Sequence, residues 1–488
     1  MGRTVDYPGF CGGSYVSQSP IAANERTVNF YVERLELPTG KSRDVLYPSP
    51  GVESLATAST TGGRAHFAQD GREFCVIGPT FYEVSSAGAL TSRGTVTVDQ
   101  YPATICSNGD GGDQIFVTSG NNGYIFDLGT NTFSQVRTGG TRMGAQLDGF
   151  FLALDADTST LYISDANDGT TWDPTQFIQR SSQPDPWIAL KVWDRYIWLF
   201  GTETSEVLYN AGTAPIPFAT HPSGLVAYGI AAPFSAEVVG SSIMWLAATA
   251  NGRGTVVRAA GFTPDVVSTF PLQVAFSGYA DIDTAIGDTH EELGHTFYLL
   301  TFPESGTWSF DATTTLQLPN AMRWTERGTW ISESSRYVAW RPLYHAFAFG
   351  EHRMLDRETG ALYRLTSNVL EDVDDRPLRR LRRPPALSAR DAALFVSEFE
   401  LGLEPGLGLV TGQGSNPQVA LRVSRDGGKT FGNERSRSAG AIGEYDTRVY
   451  WTRCGSAKQG LAWQPEIVCT DPIPWRLTGA RVTLRQAA

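Results

Sequence analysis

The 488-residue sequence predicts an all-β protein: a β-propeller of six or seven blades, set between an extended N-terminal arm and a smaller C-terminal β domain. Three observations predict it. Apolar residues make up 41% and aromatic residues 11%, enough for a packed core. The 51 Gly and 27 Pro would interrupt long helices repeatedly and suit short strands joined by turns. One unit recurs through the middle of the chain: a short apolar run, a Gly/Asp/Asn/Ser turn, and a second short run carrying Tyr, Phe or Trp, which together make a β-hairpin. The first runs start at 74, 115, 150, 196, 243, 297 and 346, spaced by about 45 residues, the length of a four-stranded blade that buries its faces only against its neighbours.

Taken in order, residues 1–63 contain Gly12-Gly13-Ser14-Tyr15, Pro20, Pro38, Pro48 and Pro50 with little periodicity, which predicts an arm and a propeller-closing strand. Residues 64–375 carry the hairpins. These pair Phe74–Ile77 with Phe81–Val84, Ile115–Val117 with Tyr124–Phe126, Phe150–Leu154 with Leu161–Ile163, and Tyr196–Phe200 with Val207–Tyr209. Three more pair Ile243–Leu246 with Val256–Val257, Phe297–Leu300 with Trp308–Phe310, and Ala346–Phe349 with Leu362–Leu365. The hairpins argue for seven blades, but a blade closed by strands from both chain ends leaves six open, and a stack of β-sandwiches is the alternative. Residues 376–488 alternate at Val419–Ser424, Thr447–Trp451, Ile467–Cys469 and Ala480–Leu484 and form the second β unit, with Arg376-Pro377 and Pro384-Pro385 marking the boundary.

Lys and Arg number 39 against 51 Asp and Glu, so a net charge of -12 repels a phosphate backbone as a whole and any DNA contact must be local. Cys11, Cys75, Cys106, Cys454 and Cys469 form no C-x-x-C, which predicts free thiols and folding in a reducing cytoplasm. Met1 to Asp6 lack the basic-then-apolar order of a signal peptide. Ile230 to Ala250 comes nearest to a membrane span, but Glu237 and Gly240-Ser241-Ser242 divide it into two strands and a turn, so no membrane insertion is expected.

The sequence supports no catalytic, cofactor or metal site. His290 and His295 are five apart, about 140° around a helix, and not the four of a zinc helix. Gly427-Gly428-Lys429-Thr430 lacks the earlier Gly of a phosphate loop, since Val423 stands there. Ser424, Asp426, Gly428 and Thr430 instead fit the S-x-D-x-G-x-T-F hairpin, or Asp-box, in which the Asp caps backbone N–H groups; Asn167 to Trp172 is a looser copy. A propeller glycosidase of sialidase type would need paired acids, for which Asp155, Asp157, Asp165, Asp281 and Asp283 are candidates beside the plainer role of solvated turn residues. No G-x-S-x-G elbow is present.

The sharpest charge feature is Arg376, Arg379, Arg380, Arg382 and Arg383 directly after Glu371, Asp372, Asp374 and Asp375. The two blocks would either pair between subunits or touch a phosphate backbone, or else neutralise each other in a solvated linker strand.

The flanks carry a family resemblance. Gly12-Gly13-Ser14-Tyr15, Ser19-Pro20, Asn24 to Glu33, Gly40-Lys41-Ser42 and Leu46 to Gly51 look like the N-terminus of the tail-hub proteins of short-tailed phages of P22 type, also called packaged DNA stabilisation or tail nozzle proteins. Phe395 to Leu401, Ser424 to Phe431, Gly440 to Arg448, and Asp471 to Trp475 before Gly479-Ala480 are similar to phage tail proteins. Together these flanks cover about a third of the chain, and Phe30-Tyr31-Val32 departs from the more usual Trp-Tyr-Pro. The resemblance implies a non-enzymatic virion protein, folded in the host cytoplasm and built into the tail as a homohexamer beneath the portal and its adaptor ring. It implies partners in the adaptor, a tail needle or distal tail protein, tail fibres or spikes, and transiently the genomic double-stranded DNA in the channel. The alternatives are the sialidase-like glycosidase and a glycan-binding adsorption propeller.

Overall fold

Short strands cut by tight turns fold residues 51–366 into seven antiparallel blades, five of them four-stranded sheets, the fifth in order five-stranded and the sixth four strands of a larger sheet, as seen in a computed structural model that describes residues 3–486 except 37, 39–41, 181–182, 314–317 and 390–391. Gly40 and Lys41, part of the N-terminal resemblance, lie outside the described residues. The first blade runs Gly63–Gln69, Arg72–Ile77, Thr80–Val84 and Leu90–Thr95, and Asp70 and Gly71 between its first two strands take φ of +51° and +74°, the conformation that matches the twist of a two-residue hairpin. The innermost strands follow one another around an axis: Gly63–Gln69, Thr104–Ser107, Met143–Leu147, Trp187–Trp193, Glu237–Val239, Ile286–Glu292 and Pro342–Ala348, with the last packed back on the first. Aromatic side chains fill the gaps between blades. Phe74 and Phe81 meet Phe126 with ring centroids 5.6 Å apart, and Trp198 and Phe200 meet Trp245 at 5.7 and 5.2 Å.

The seventh blade departs from the predicted pairing. Ala346–Phe349 does not pair with Leu362–Leu365; Pro342–Ala348 pairs with Glu351–Asp356, which pairs in turn with Ala361–Thr366. Glu351, His352 and Arg353 hide that strand from any apolar pattern, and it is nevertheless buried because Arg353 finds anionic partners inside. Gly51–Thr57 then supplies the fourth strand, so the blade is closed by both ends of the propeller segment.

The rest of the arm belongs elsewhere. Phe30–Glu36, Ser42–Pro48 and Arg3–Asp6 join Leu394–Leu403, Val449–Ala457 and Leu477–Gln486 in one sheet of the C-terminal unit. Asn24–Val28 joins the other, beside Arg380–Arg383, Ala462–Cys469, Gln418–Ser424 and Arg435–Ser438. Phe399, Leu421, Trp451, Trp463 and Ile467 pack between the two sheets. Asn24–Val28 also pairs in parallel with Trp324–Arg327, the outer strand of the sixth blade, so one hydrogen-bonded sheet runs from propeller into sandwich. Among the described residues no helix is long and apolar enough to cross a membrane.

Candidate functional site

The junction sheet decides where the arginine block goes. Arg380 and Arg382 alternate with Leu381 on a strand hydrogen-bonded on both sides, and both are fully buried, so neither is placed to meet a neighbouring subunit or DNA from the surface of this chain. This corrects the expectation of a charged surface strand. Arg382 donates from Nη1 to Gly12 O and Gly13 O at 3.0 Å and Thr27 Oγ1 at 2.8 Å, from Nη2 to Gly9 O at 2.9 Å, and from Nε to Phe10 O. It therefore clamps the N-terminal arm; burial pulls its pKa down to about 10, which leaves it charged at neutral pH. Arg383 pairs with Glu466 at 2.6 Å and lies 4.6 Å from the Phe431 ring, while Arg379 pairs with Glu434 at 3.2 Å and lies 4.1 Å from that of Trp330. Only Arg376 meets the acidic block, at 3.8 Å from Asp374, which Arg341 holds more closely at 2.6 Å. A self-neutralising linker is thereby replaced by side chains with separate partners.

The Asp426 turn has the geometry its spacing predicts. Asp426 Oδ1 accepts from Lys429 N and Thr430 N, each at 3.0 Å, Oδ2 accepts from Thr430 Oγ1 at 2.6 Å, and Ser424 Oγ accepts from Gly428 N at 2.8 Å. Those bonds to the ionised form, the Thr430 hydroxyl first, lower the Asp426 pKa to about 2. In the looser copy Asp168 likewise accepts from Thr170 N at 2.9 Å and Thr171 Oγ1 at 2.8 Å. Both turns hold hairpins, and neither lines the axial cavity.

That cavity, of about 580 Å³, is lined by all seven innermost strands and carries His66, Lys191, Glu237, Asp288 and His345. Lys191 Nζ bonds Glu237 Oε2 at 2.6 Å. Asp288 accepts from Thr289 N at 2.8 Å and from His345 N at 2.9 Å. Burial, reinforced by the Glu237 charge, pushes the Asp288 pKa up to about 8. The folded state therefore holds this proton more tightly than the unfolded chain, and the stabilisation is complete below about pH 4 and lost as pH rises through about 8. Urea midpoints should fall between pH 6 and pH 9, and Asp288→Asn should flatten that decline; equal declines in both chains would refute it. None of Asp155, Asp157, Asp165, Asp281 or Asp283 reaches this cavity. Asp155 instead caps its own turn, accepting from Asp157 N at 3.1 Å, and Asp281 holds the distant turn at Glu304, accepting from its N at 2.8 Å.

His290 and His295 sit near the two ends of a tight hairpin, where His295 Nδ1 bonds Asp311 Oδ2 at 2.7 Å and His290 stacks on Phe297. Among the described residues no group of three or more His, Cys, Asp or Glu could hold a metal ion. The five cysteines are free.

In the sandwich two loops are joined by Gly406 N to Ala439 O and Gly443 N to Gly406 O, both 3.3 Å. They expose Leu409, Val410, Ile442 and Tyr445 together, with Val410 80% and Tyr445 71% accessible. A cluster of large apolar side chains on neighbouring loops is what an assembly contact requires. Sequence reasoning missed it because isolated apolar residues in Gly-rich loops carry no periodicity.

Known proteins resemble this chain along the same division. Residues 22–370 match the family model described as bacteriophage P22 Gp10, β-propeller, and residues 379–485 match the one described as bacteriophage P22 Gp10, β-sandwich. The tail hub protein gp10 of Salmonella phage P22 is 21% identical over 358 residues, covering 72% of each chain. Among solved structures, the N-terminal domain of Nup159 aligns with a TM-score of 0.41 at 10% identity, covering 70% of this chain and 99% of that one. The Pan2 WD40 domain of Neurospora crassa aligns with a TM-score of 0.39 at 11% identity, covering 66% and 95%.

Proposed function

This chain belongs to the bacteriophage P22 Gp10 family, and from that premise we propose that it forms the hub, or nozzle, of a short phage tail. It is a structural protein of a phage tail, not an enzyme. Six copies form a ring beneath the portal and its adaptor, prolong the channel, help to retain packaged DNA, and hold the distal tail part while their sides meet fibres or spikes. The observation that carries this reading is the match to both P22 Gp10 domains, in order, over nearly the whole chain. A hexameric ring needs rigid, two-faced subunits, and a propeller fused to a sandwich by a shared sheet supplies them.

Under this reading the genome passes between subunits and not along a propeller axis. Withdrawing the chain during infection should yield filled heads that lose their DNA; heads that stay full without it would contradict a role in retention.

The exposed loop cluster is the surface we assign to assembly. Val410→Asp with Tyr445→Asp places two charges where large apolar side chains are exposed, and should leave the monomer folded while reducing its incorporation into tails at least about tenfold. Unchanged incorporation, measured by quantitative mass spectrometry of purified particles, would remove these loops from the assembly contact.

A further inference from the structure

Two buried arginines at the junction have donors that no described group accepts. Arg380 opens the strand Arg380–Arg383 and uses only Nη1, toward Leu378 O at 3.1 Å; its Nε and Nη2 are buried without a hydrogen-bond partner among the described residues. Arg327 ends the outer strand of the sixth blade, donates from Nη2 to Pro50 O at 3.0 Å, and lies 4.0 Å from the Trp340 ring, while its Nη1 is likewise unpartnered.

The register brings the two side chains together. Val28 lies opposite both Glu326 and Leu381, so Arg327 and Arg380 each stand one residue beyond that register on the two neighbouring strands, close enough for the Arg327 charge to act on Arg380. Asn29 cannot serve them, because its side chain is spent on Gly328 and on Arg379 O. No carboxylate forms an ion pair with either arginine among the described residues. Asp372, the acid that most favours the charge on Arg327, already accepts from Trp340 Nε1 at 3.0 Å and Val373 N at 2.9 Å. Burial lowers both arginine pKa values to about 10, and Arg327 lowers that of Arg380 further, yet both groups remain cationic at neutral pH. Asp372 and Glu292 both act on Arg327, so the charge left without a carboxylate is that of Arg380; water would answer its donors but not that charge, and a buried cation without a counter-charge is costly.

We propose that the junction binds a halide-sized inorganic anion, chloride in the cell, held by Arg380 Nε and Nη2 and Arg327 Nη1. The anion ties the propeller's sixth blade to the sandwich strand and makes the rigidity of the junction depend on it. The inference does not rest on the hub reading, since it concerns the folded chain alone.

Crystals of the full chain grown in sodium bromide test it directly. An anomalous peak within hydrogen-bond reach of both guanidinium groups is the expected result; density there without anomalous signal means water and overturns the proposal. Thermal unfolding at constant ionic strength, with gluconate replacing chloride, gives a second reading. The melting temperature should rise by roughly 3 °C at a chloride concentration one hundred times the dissociation constant, and Arg380→Met should abolish the dependence. A bromide peak upholds the site whether or not the variant folds. A chloride effect with no peak is a generic salt effect and contradicts it.

Discussion

Replacing Arg382 by methionine should lower the unfolding free energy by at least about 3 kcal/mol. The methionine fills the aliphatic volume but leaves the carbonyls of Gly9, Phe10 and Gly13 without their donor, while Gly12 O keeps only the Thr27 hydroxyl. A buried carbonyl stripped of its partner costs about 1–3 kcal/mol, and water can enter only if the arm peels away from the strand. Arg382→Lys should recover only part of the loss, because an ammonium has three donors and cannot span the fork of five acceptors. Urea unfolding measures the energy, and limited proteolysis near Phe10 measures the release of the arm. A methionine variant within about 0.5 kcal/mol of the parent, with the arm still protected, would show that the clamp contributes nothing.

Arg353→Met should cost about 3–5 kcal/mol by opening the seam between the last blade and the first. Arg353 reaches across that seam to Glu73 Oε2 at 2.7 Å and to Ser86 O at 2.6 Å, and holds Glu351 of its own strand at 2.9 Å. Glu73 is completely buried and otherwise has His66 Nε2 at 2.7 Å, so removing the arginine strands a carboxylate in the interior. Adding Glu73→Gln removes that charge and should restore at least half of the lost stability. If the double variant is no more stable than Arg353→Met, the unpaired carboxylate is not the cause. The seam matters because a propeller ring is closed at one place only, and here Gly51–Thr57 and Arg353 close it together.

How much of this was legible beforehand follows from what repeats. The hairpins at Phe74, Ile115, Phe150, Tyr196, Ile243 and Phe297 are the second and third strands of their blades, which are buried on both faces and so read as continuous apolar runs. The outer strands, such as Thr132–Arg137, are half solvated and mixed in composition, and left no comparable trace. The seventh blade was misread at Glu351–Asp356 because burial there depends on a cross-blade ion pair that no local pattern encodes. The arginine block failed for the same reason: Arg-Leu-Arg alternation suggests a solvated strand until the second neighbouring strand is known to cover it. The Asp426 turn was legible because its partners all lie within four residues.

The hub assignment is tested most directly by the copy number of this chain in purified virions, counted against the portal protein by quantitative mass spectrometry and paired with averaged images of the tail. About half the portal count, in a six-fold ring below the neck, is the result this account predicts. Absence from the virion, or a count matching the fibres or spikes, would contradict it.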